Sequence, residues 1–341
     1  MGYSFSREGF DAVLKALART YRIYAPVTFA GQGRFTDVDV VRYDFVTDAS
    51  QIEFGKKSEY AFKELLTPLS ETLFYFTEDE VKEADAQPGE VLVFLRSCDL
   101  HALKRLDQMY LGNGFAEDPF YKRIREKLQF VLIGCPASFE NCFCTSMGTN
   151  RTEDGYLFSV EEQDGKILCE VPSNLKLKQL FMENGAWIEK ALPSFVEEND
   201  VRVTIPATVP NSIYKAPLWD EYTARCIGCG RCNFVCPTCT CYTMQDIYYT
   251  DNGRVGERRR VAASCMVDGY TNVAGGGEYR RTKGERMRFK VLHKIYDFRR
   301  RFAYDMCVGC GRCDDACPEY ISFSNIINKV DQFVKEEKAD E

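Results

Sequence analysis

The chain has 341 residues, 45% of them hydrophobic, and a formal net charge of −7. That length suits two or three domains with a sizeable core. No apolar run reaches membrane-spanning length and no charged start precedes an apolar signal core, so a soluble cytoplasmic protein is expected. Sixteen cysteines without such a signal point to a reducing compartment, with thiolates used for metal rather than for disulfides.

Met1-Gly2-Tyr3-Ser4-Phe5-Ser6 fits a loose acylation pattern, but nothing nearby adds the second signal that stable anchoring needs, so the match is read as chance. Glu8 to Tyr21 places Phe10, Val13, Leu14 and Leu17 at helical spacing. Arg22–Ala30 and Val38–Val46 read as strands joined through Gly31-Gln32-Gly33, which opens no helix and so makes a poor phosphate loop. Val91–Leu95 is a buried strand, followed by a helix over Asp99–Leu111 that Ser97 or Asp99 would cap. Phe130–Ile133 is the next buried strand. Tyr156–Val160 and Lys166–Val171 form a hairpin around Asp164-Gly165. The proline-bearing stretch Val203–Pro217 reads as an interdomain linker. The expected architecture is a mixed α/β domain over residues 1–205 and an all-α dicluster ferredoxin-like domain over 206–341, with the tail from Val334 fraying.

Within the second domain, Cys226-Ile-Gly-Cys229-Gly-Arg-Cys232-Asn-Phe-Val-Cys236-Pro returns as Cys307-Val-Gly-Cys310-Gly-Arg-Cys313-Asp-Asp-Ala-Cys317-Pro. This is the spacing that holds [4Fe–4S] cubanes, and in two-cluster ferredoxins the fourth cysteine of each run ligates the other cluster. Cys226, Cys229, Cys232 and Cys317 are therefore expected at one cubane, and Cys307, Cys310, Cys313 and Cys236 at the other. Structural zinc is the competing reading, but it uses paired knuckles rather than three evenly spaced thiols followed by Cys-Pro.

A third set comprises Cys98, Cys135, Cys142 and Cys144. If the helix after Val91–Leu95 makes a crossover, the two buried strands are parallel and deliver Cys98 and Cys135 at one sheet edge. Open α/β sheets bind ligands at that edge. Cys142-Phe143-Cys144 follows in a loop, where an extended pair points both sulfurs one way. A metal centre and four thiols packed as small hydrophobes both fit these facts. Cys169 reads as a core thiol. Cys239, Cys241 and Cys265 surround the clusters, replace a ligand, or pack as free thiols.

Charge is uneven. Residues 254–301 hold 14 Lys/Arg against 5 Asp/Glu, a balance of +9 that leaves −16 elsewhere. Support of anionic clusters or partner docking explains this block better than nucleic acid, given the acidic whole. There is no P-loop and no strand–Gly-x-Gly-x-x-Gly–helix unit. His101 and His293 read as structural, so no catalytic residue and no flavin, NAD or sirohaem site is expected in this chain.

Longer stretches carry a resemblance. They are Gly33-Arg-Phe-Thr-Asp37, Glu71-Thr-Leu-Phe-Tyr-Phe76, Cys98-Asp99, Arg105–Leu111, Phe139-Glu-Asn-Cys-Phe-Cys-Thr-Ser-Met-Gly148, Cys236-Pro-Thr-Cys-Thr-Cys-Tyr242, Ala263–Val267, Leu292-His-Lys294 and Ile326–Lys329. Nearly end to end, the chain resembles the iron–sulfur A subunits of anaerobic sulfite reductases. More distantly it resembles the β subunits of cytoplasmic NAD(P)-linked sulfhydrogenases, which share the Cys-Asp-Leu, Cys-Phe-Cys and dicluster motifs. The first resemblance implies a relay that takes electrons from an NADH-oxidising flavin subunit and passes them to a sirohaem subunit reducing sulfite to sulfide. It also implies a third [4Fe–4S] cluster on Cys98, Cys135, Cys142 and Cys144, and no nucleic-acid or membrane partner. The alternatives are the same relay in a [NiFe] sulfhydrogenase and a free-standing iron–sulfur reductase with its own substrate site.

Overall fold

The computed structural model describes residues 2–34, 37–84, 89–171 and 175–340. Met1 of the acylation pattern, Phe35 and Thr36 of the Gly33–Asp37 stretch, and Glu341 of the tail lie outside them. The chain forms two interleaved compact units. The first gathers Met1–Phe62, Ala86–Phe139 and Thr149–Glu198; the second gathers Lys63–Asp85, Glu140–Gly148 and Asn199–Glu341. A linear boundary after residue 205 falls inside the second unit.

In chain order, β1 (Gly2–Phe5) leads into α1 (Arg7–Leu17), which Ser6 caps by accepting the Gly9 N–H at 3.1 Å. The buried face of α1 is Phe10, Val13, Leu14 and Leu17, as the spacing requires. β2 (Arg22–Phe29) and β3 (Val40–Val46) pair antiparallel. β4 (Ser70–Phe76) and β5 (Val81–Glu83) belong to the second unit. The first unit resumes with β6 (Val91–Leu95), α2 (Ser97–Leu111), α3 (Pro119–Arg125) and β7 (Leu128–Ile133). β8 (Phe158–Gln163), β9 (Lys166–Glu170), α4 (Leu175–Asn184) and β10 (Ala186–Ile188) complete it.

The sheet order is β10-β1-β9-β8-β7-β6-β2-β3. β2, β6, β7 and β8 run parallel, so the expected crossover exists and the carboxyl ends of β6 and β7 share an edge. Asp164 and Gly165, with φ of 50° and 73°, make the two-residue turn between β8 and β9. The expected cap of α2 does not form. Ser97 Oγ instead donates to the Thr149 carbonyl at 3.1 Å, and the fully buried Asp99 accepts from the Tyr43 hydroxyl at 3.4 Å.

In the second unit, α5 (Asp220–Arg225) and α6 (Arg231–Phe234) flank the first cysteine run. α7 (Lys283–Leu292) opens with a Thr282/Glu285 capping box and continues through a π-helical turn (His293–Asp297) into α8 (Phe298–Phe302). α9 (Arg312–Asp315) and α10 (Phe323–Asp340) complete the helical dicluster region. The purely helical expectation needs one correction. Between α6 and α7 lie β11 (Tyr242–Tyr248), β12 (Gly256–Ala262), β13 (Asn272–Val273) and β14 (Gly277–Glu278).

β12 sits between β11 and β4 in a four-stranded sheet. Arg258 holds Asp246 through two bonds of 2.6 and 2.7 Å, and Arg260 holds Glu71 at 2.7 Å. Cross-strand ion pairs replace apolar alternation here, so hydrophobic periodicity has nothing to register. The stretch read as a linker is also packed: Val209, Ile213 and Ala216 are buried, and the Trp219 indole donates to the Ile213 carbonyl at 2.6 Å. Val334 is buried on α10, which continues as helix to Asp340.

Candidate metal centre

The two cysteine runs repeat in conformation as well as in sequence. Gly228 and Gly230 have φ of 71° and 76°; Gly309 and Gly311 have 65° and 69°. Glycine reaches this left-handed region without a Cβ penalty, and the chain can then curl around a ligand. The curl turns the Gly228 N–H onto Cys226 Sγ and the Gly309 N–H onto Cys307 Sγ, each at 3.4 Å. The Ile321 N–H reaches Cys317 Sγ at 3.3 Å. Backbone donors aimed at sulfur suit thiolate ligands, whose charge they stabilise.

The runs also associate crosswise. Cys226, Cys229 and Cys232 line one cavity together with Cys313 and Cys317, the last two cysteines of the other run. Cys317 is among the charges that Cys226 senses. Conversely, Cys307 and Cys313 both sense Cys310 and Cys236, the last cysteine of the first run. Burial pushes the Cys307 thiol up to about 12 and raises Cys313 well above its ordinary value. A bare thiolate is thus unfavourable at that group, and charge compensation has to come from a metal and from cations nearby.

Such cations are present. Lys63, Lys290 and Lys294 are all buried in the second unit. Lys63 Nζ donates to the Asn233 and Cys239 carbonyls, both at 3.0 Å, and burial lowers its pKa. Lys294 Nζ donates to Thr238 Oγ1 at 2.7 Å. Burial opposes the charge on Lys290 and Lys294, but neighbouring cysteines outweigh it and raise both pKa values. Sequence reading missed these lysines as site residues. The signal was there: Lys290 and Lys294 fall on the helix face of Met287, Val291 and Ile295, an apolar stripe that should hold no free charge.

Among the described residues, no three His, Cys, Asp or Glu side chains are arranged to hold a single metal ion. A cubane asks for something else, four cysteines shared over four irons. Two four-thiol groups with backbone donors on sulfur and buried cations fit that demand.

Residues 225–321 match the family model for a 4Fe-4S dicluster domain. Sulfhydrogenase 2 subunit beta of Pyrococcus furiosus is 30% identical over 336 residues, which cover 95% of this chain and 96% of the relative. The chain belongs to the sulfhydrogenase beta-subunit family. No solved structure matches it. No helix among the described residues is long and apolar enough to cross a membrane.

The third cysteine set is divided between the units. Cys98 and Cys135 belong to the first, at the carboxyl ends of β6 and β7. The buried Arg96 ties these ends together by donating to the Gly134 carbonyl at 2.9 Å. Cys142 and Cys144 belong to the second unit, where both are buried. The Cys142 thiol donates to the Cys310 carbonyl at 3.4 Å, and the Asn199 side chain accepts from Cys144 Sγ at 3.6 Å and from the Thr145 N–H at 2.8 Å.

Of the remaining thiols, Cys169 is fully buried in β9, where burial raises its pKa. Cys239, Cys241 and Cys265 line a second cavity with Tyr270, His293 and Lys294. A hydrogen bond from Cys265 brings Cys241 down to about 6. His101 Nε2 donates to the Arg151 carbonyl at 2.8 Å, and His293 stacks on Phe289 with centroids 5.6 Å apart.

Proposed function

We propose that this chain is the iron–sulfur relay subunit of a sulfhydrogenase-type redox complex, carrying electrons rather than catalysing turnover itself. What supports the reading is that cysteines of both runs, Cys226, Cys229, Cys232 and Cys317 among them, line one cavity inside the region that matches the dicluster family. In it, Cys226, Cys229, Cys232 and Cys317 hold one [4Fe–4S] cubane, and Cys307, Cys310, Cys313 and Cys236 hold the other. Each cubane, when bound, supplies a one-electron couple. The chain's part is to fix two such couples side by side, with sulfur ligands oriented by Gly228, Gly309 and Ile321.

The likeness to a sulfhydrogenase beta subunit over nearly the whole of both chains favours a hydrogenase subunit as a partner. A second reading is supported by the stretches Glu71–Phe76, Arg105–Leu111 and Cys236–Tyr242, which carry the resemblance to sulfite reductase A subunits. It is the A subunit of an anaerobic sulfite reductase, set between an NADH-oxidising flavin subunit and a sirohaem subunit. A third cubane on Cys98, Cys135, Cys142 and Cys144 belongs to both readings and rests on the sequence pattern.

Anaerobic purification of the tagged chain with its partners tests all three points. Roughly eight irons per chain fit the dicluster alone and about twelve fit three cubanes. Co-purifying nickel supports the hydrogenase complex, and a sirohaem absorption band supports the sulfite reductase. A colourless zinc protein, or steady sulfite turnover by the isolated chain with reduced viologen, would overturn the relay reading.

A further inference from the structure

Lys290 and Lys294 stand one helical turn apart, across the junction of α7 with the π-helical turn, and both are buried. π-helical turns inside α-helices recur at functional sites because the extra residue re-aims the side chains that follow. Buried lysines are rare unless paired. The groups facing these two are mostly thiols. Lys290 lines one cavity with Cys232 of the first group and Cys313 of the second. Lys294 Nζ donates to Thr238 Oγ1 at 2.7 Å, and Thr238 Oγ1 lies 3.4 Å from Cys236 Sγ. The Lys294 carbonyl accepts from the Cys307 N–H at 3.2 Å, which places Lys294 beside the second group. One carboxylate also bears on Lys290. It is Asp314, whose own pKa burial raises and whose Oδ1 accepts from Cys313 Sγ at 3.3 Å. In that cavity Lys290 Nζ lies 5.3 Å from the Phe323 ring centroid.

We propose that Lys290 is a shared counter-charge that sets the reduction potential of both thiol-bound centres, while Lys294 is a private counter-charge of the second centre alone. The inference rests on the dicluster reading and goes beyond it by assigning positioning residues to each centre. A cubane on four thiolates is a net anion, and taking up an electron adds one more negative charge. A fixed ammonium nearby favours the reduced form more than the oxidised one and raises the potential, the more so in a dry interior. Two lysines on one helix, one between the groups and one beside a single group, hold the centres at different but linked potentials. The difference between the two potentials is then set by α7 and the π-helical turn that continues it.

The experiment is a redox titration of the iron-loaded full-length chain, followed by electron paramagnetic resonance. Cys226→Ser and Cys307→Ser proteins, each lacking one centre, assign the two signals. Lys294→Met is expected to lower the midpoint of the centre at Cys236, Cys307, Cys310 and Cys313 and to leave the other unchanged. Lys290→Met is expected to lower both. Lys290→Arg and Lys294→Arg, which keep the charge, are expected to stay near wild type. Iron loss in Lys290→Met and Lys290→Gln but not in Lys290→Arg also supports the proposal, because charge alone separates these variants. Unmoved midpoints with iron intact overturn it and leave the dicluster reading standing, as do equal shifts in Met and Arg variants. Absence of two cubanes from the wild-type chain defeats the dicluster reading itself.

Discussion

The backbone N–H of Phe143 donates to the carbonyl of Gly309 at 2.8 Å. This bond lays the Asn141–Cys144 segment against the second cysteine run, and the Asn141 side chain adds a bond to Asp315 at 2.8 Å. Two glycines make the approach possible. A Cβ on Gly309 would stand 2.6 Å from Phe143 backbone atoms, and one on Gly311 would stand 2.3 Å from the Asn141 carbonyl. Gly309→Ala and Gly311→Ala should each cost more than the ~1–2 kcal/mol of a left-handed alanine, because backbone must also shift. Gly275→Ala, with φ of 85° and open space around it, should cost only the conformational share. Denaturant midpoints of the three iron-loaded variants check the ranking.

Crosswise ligation makes a prediction against sequence order. Cys317→Ser should bleach the centre of Cys226, Cys229 and Cys232, and Cys236→Ser the centre of Cys307, Cys310 and Cys313. Each should lower iron by about four per chain. Spectra of the two variants compared with Cys226→Ser and Cys307→Ser decide it: pairing within a run requires Cys317→Ser to match Cys307→Ser.

A third cubane is best counted in the whole protein. A fragment ending near Pro206 loses Gly309 and Cys310, against which Cys142 and Phe143 pack, so its colour would say little. Cys142→Ser and Cys144→Ser in the full chain should each lower iron by about four while both dicluster signals persist. Unchanged iron would make these ordinary core thiols.

His293 gives a pH dependence. Burial, reinforced by Lys294 and Arg280, holds its imidazole down at about 4. A base depressed in the folded state favours folding fully above its unfolded pKa of roughly 6.5, and that contribution fades as pH falls toward 4. Between pH 7.5 and 5.0 the chain should lose about 2 kcal/mol through this residue. His293→Phe, which keeps the stack on Phe289, should flatten the fall. Urea midpoints at the two pH values measure the difference.

The pair of Arg260 with Glu71 joins β12 to β4, and both side chains are largely buried. Glu71→Gln leaves a buried guanidinium without its counter-charge and should cost about 3–5 kcal/mol. Replacing both residues by apolar ones of similar size should cost far less. A double-mutant cycle read by chemical denaturation separates the two cases.

The cysteine runs were legible because metal ligation fixes spacing and residue type at once. β6 and β7 were legible because burial on both faces writes an uninterrupted apolar run between turn signals. β12 was not, since Gly256–Ala262 is held by charges on the preceding strand β11 and on β4, which is remote in sequence. The place of Cys142 and Cys144 was hidden for the same reason. Local pattern put them after β7, whereas Gly309 and Asn199 hold them in the other unit. Lys290 and Lys294 were readable as charges on an apolar stripe, but only the fold says which thiols they face.

The interleaving of the two units has a consequence for how the protein is made. Domains ordinarily fold in order as they leave the ribosome, amino-terminal first. Here the chain between β4 and β12 must be synthesised before β4 gains that neighbour, roughly 10–40 s at usual elongation rates. For that interval one edge of β4 is unpaired, and the Cys142 thiol waits longer still, until Cys310 is translated. An unpaired edge is a template for aggregation. In the dicluster reading, the centre of Cys226, Cys229 and Cys232 can be completed only after Cys317 emerges.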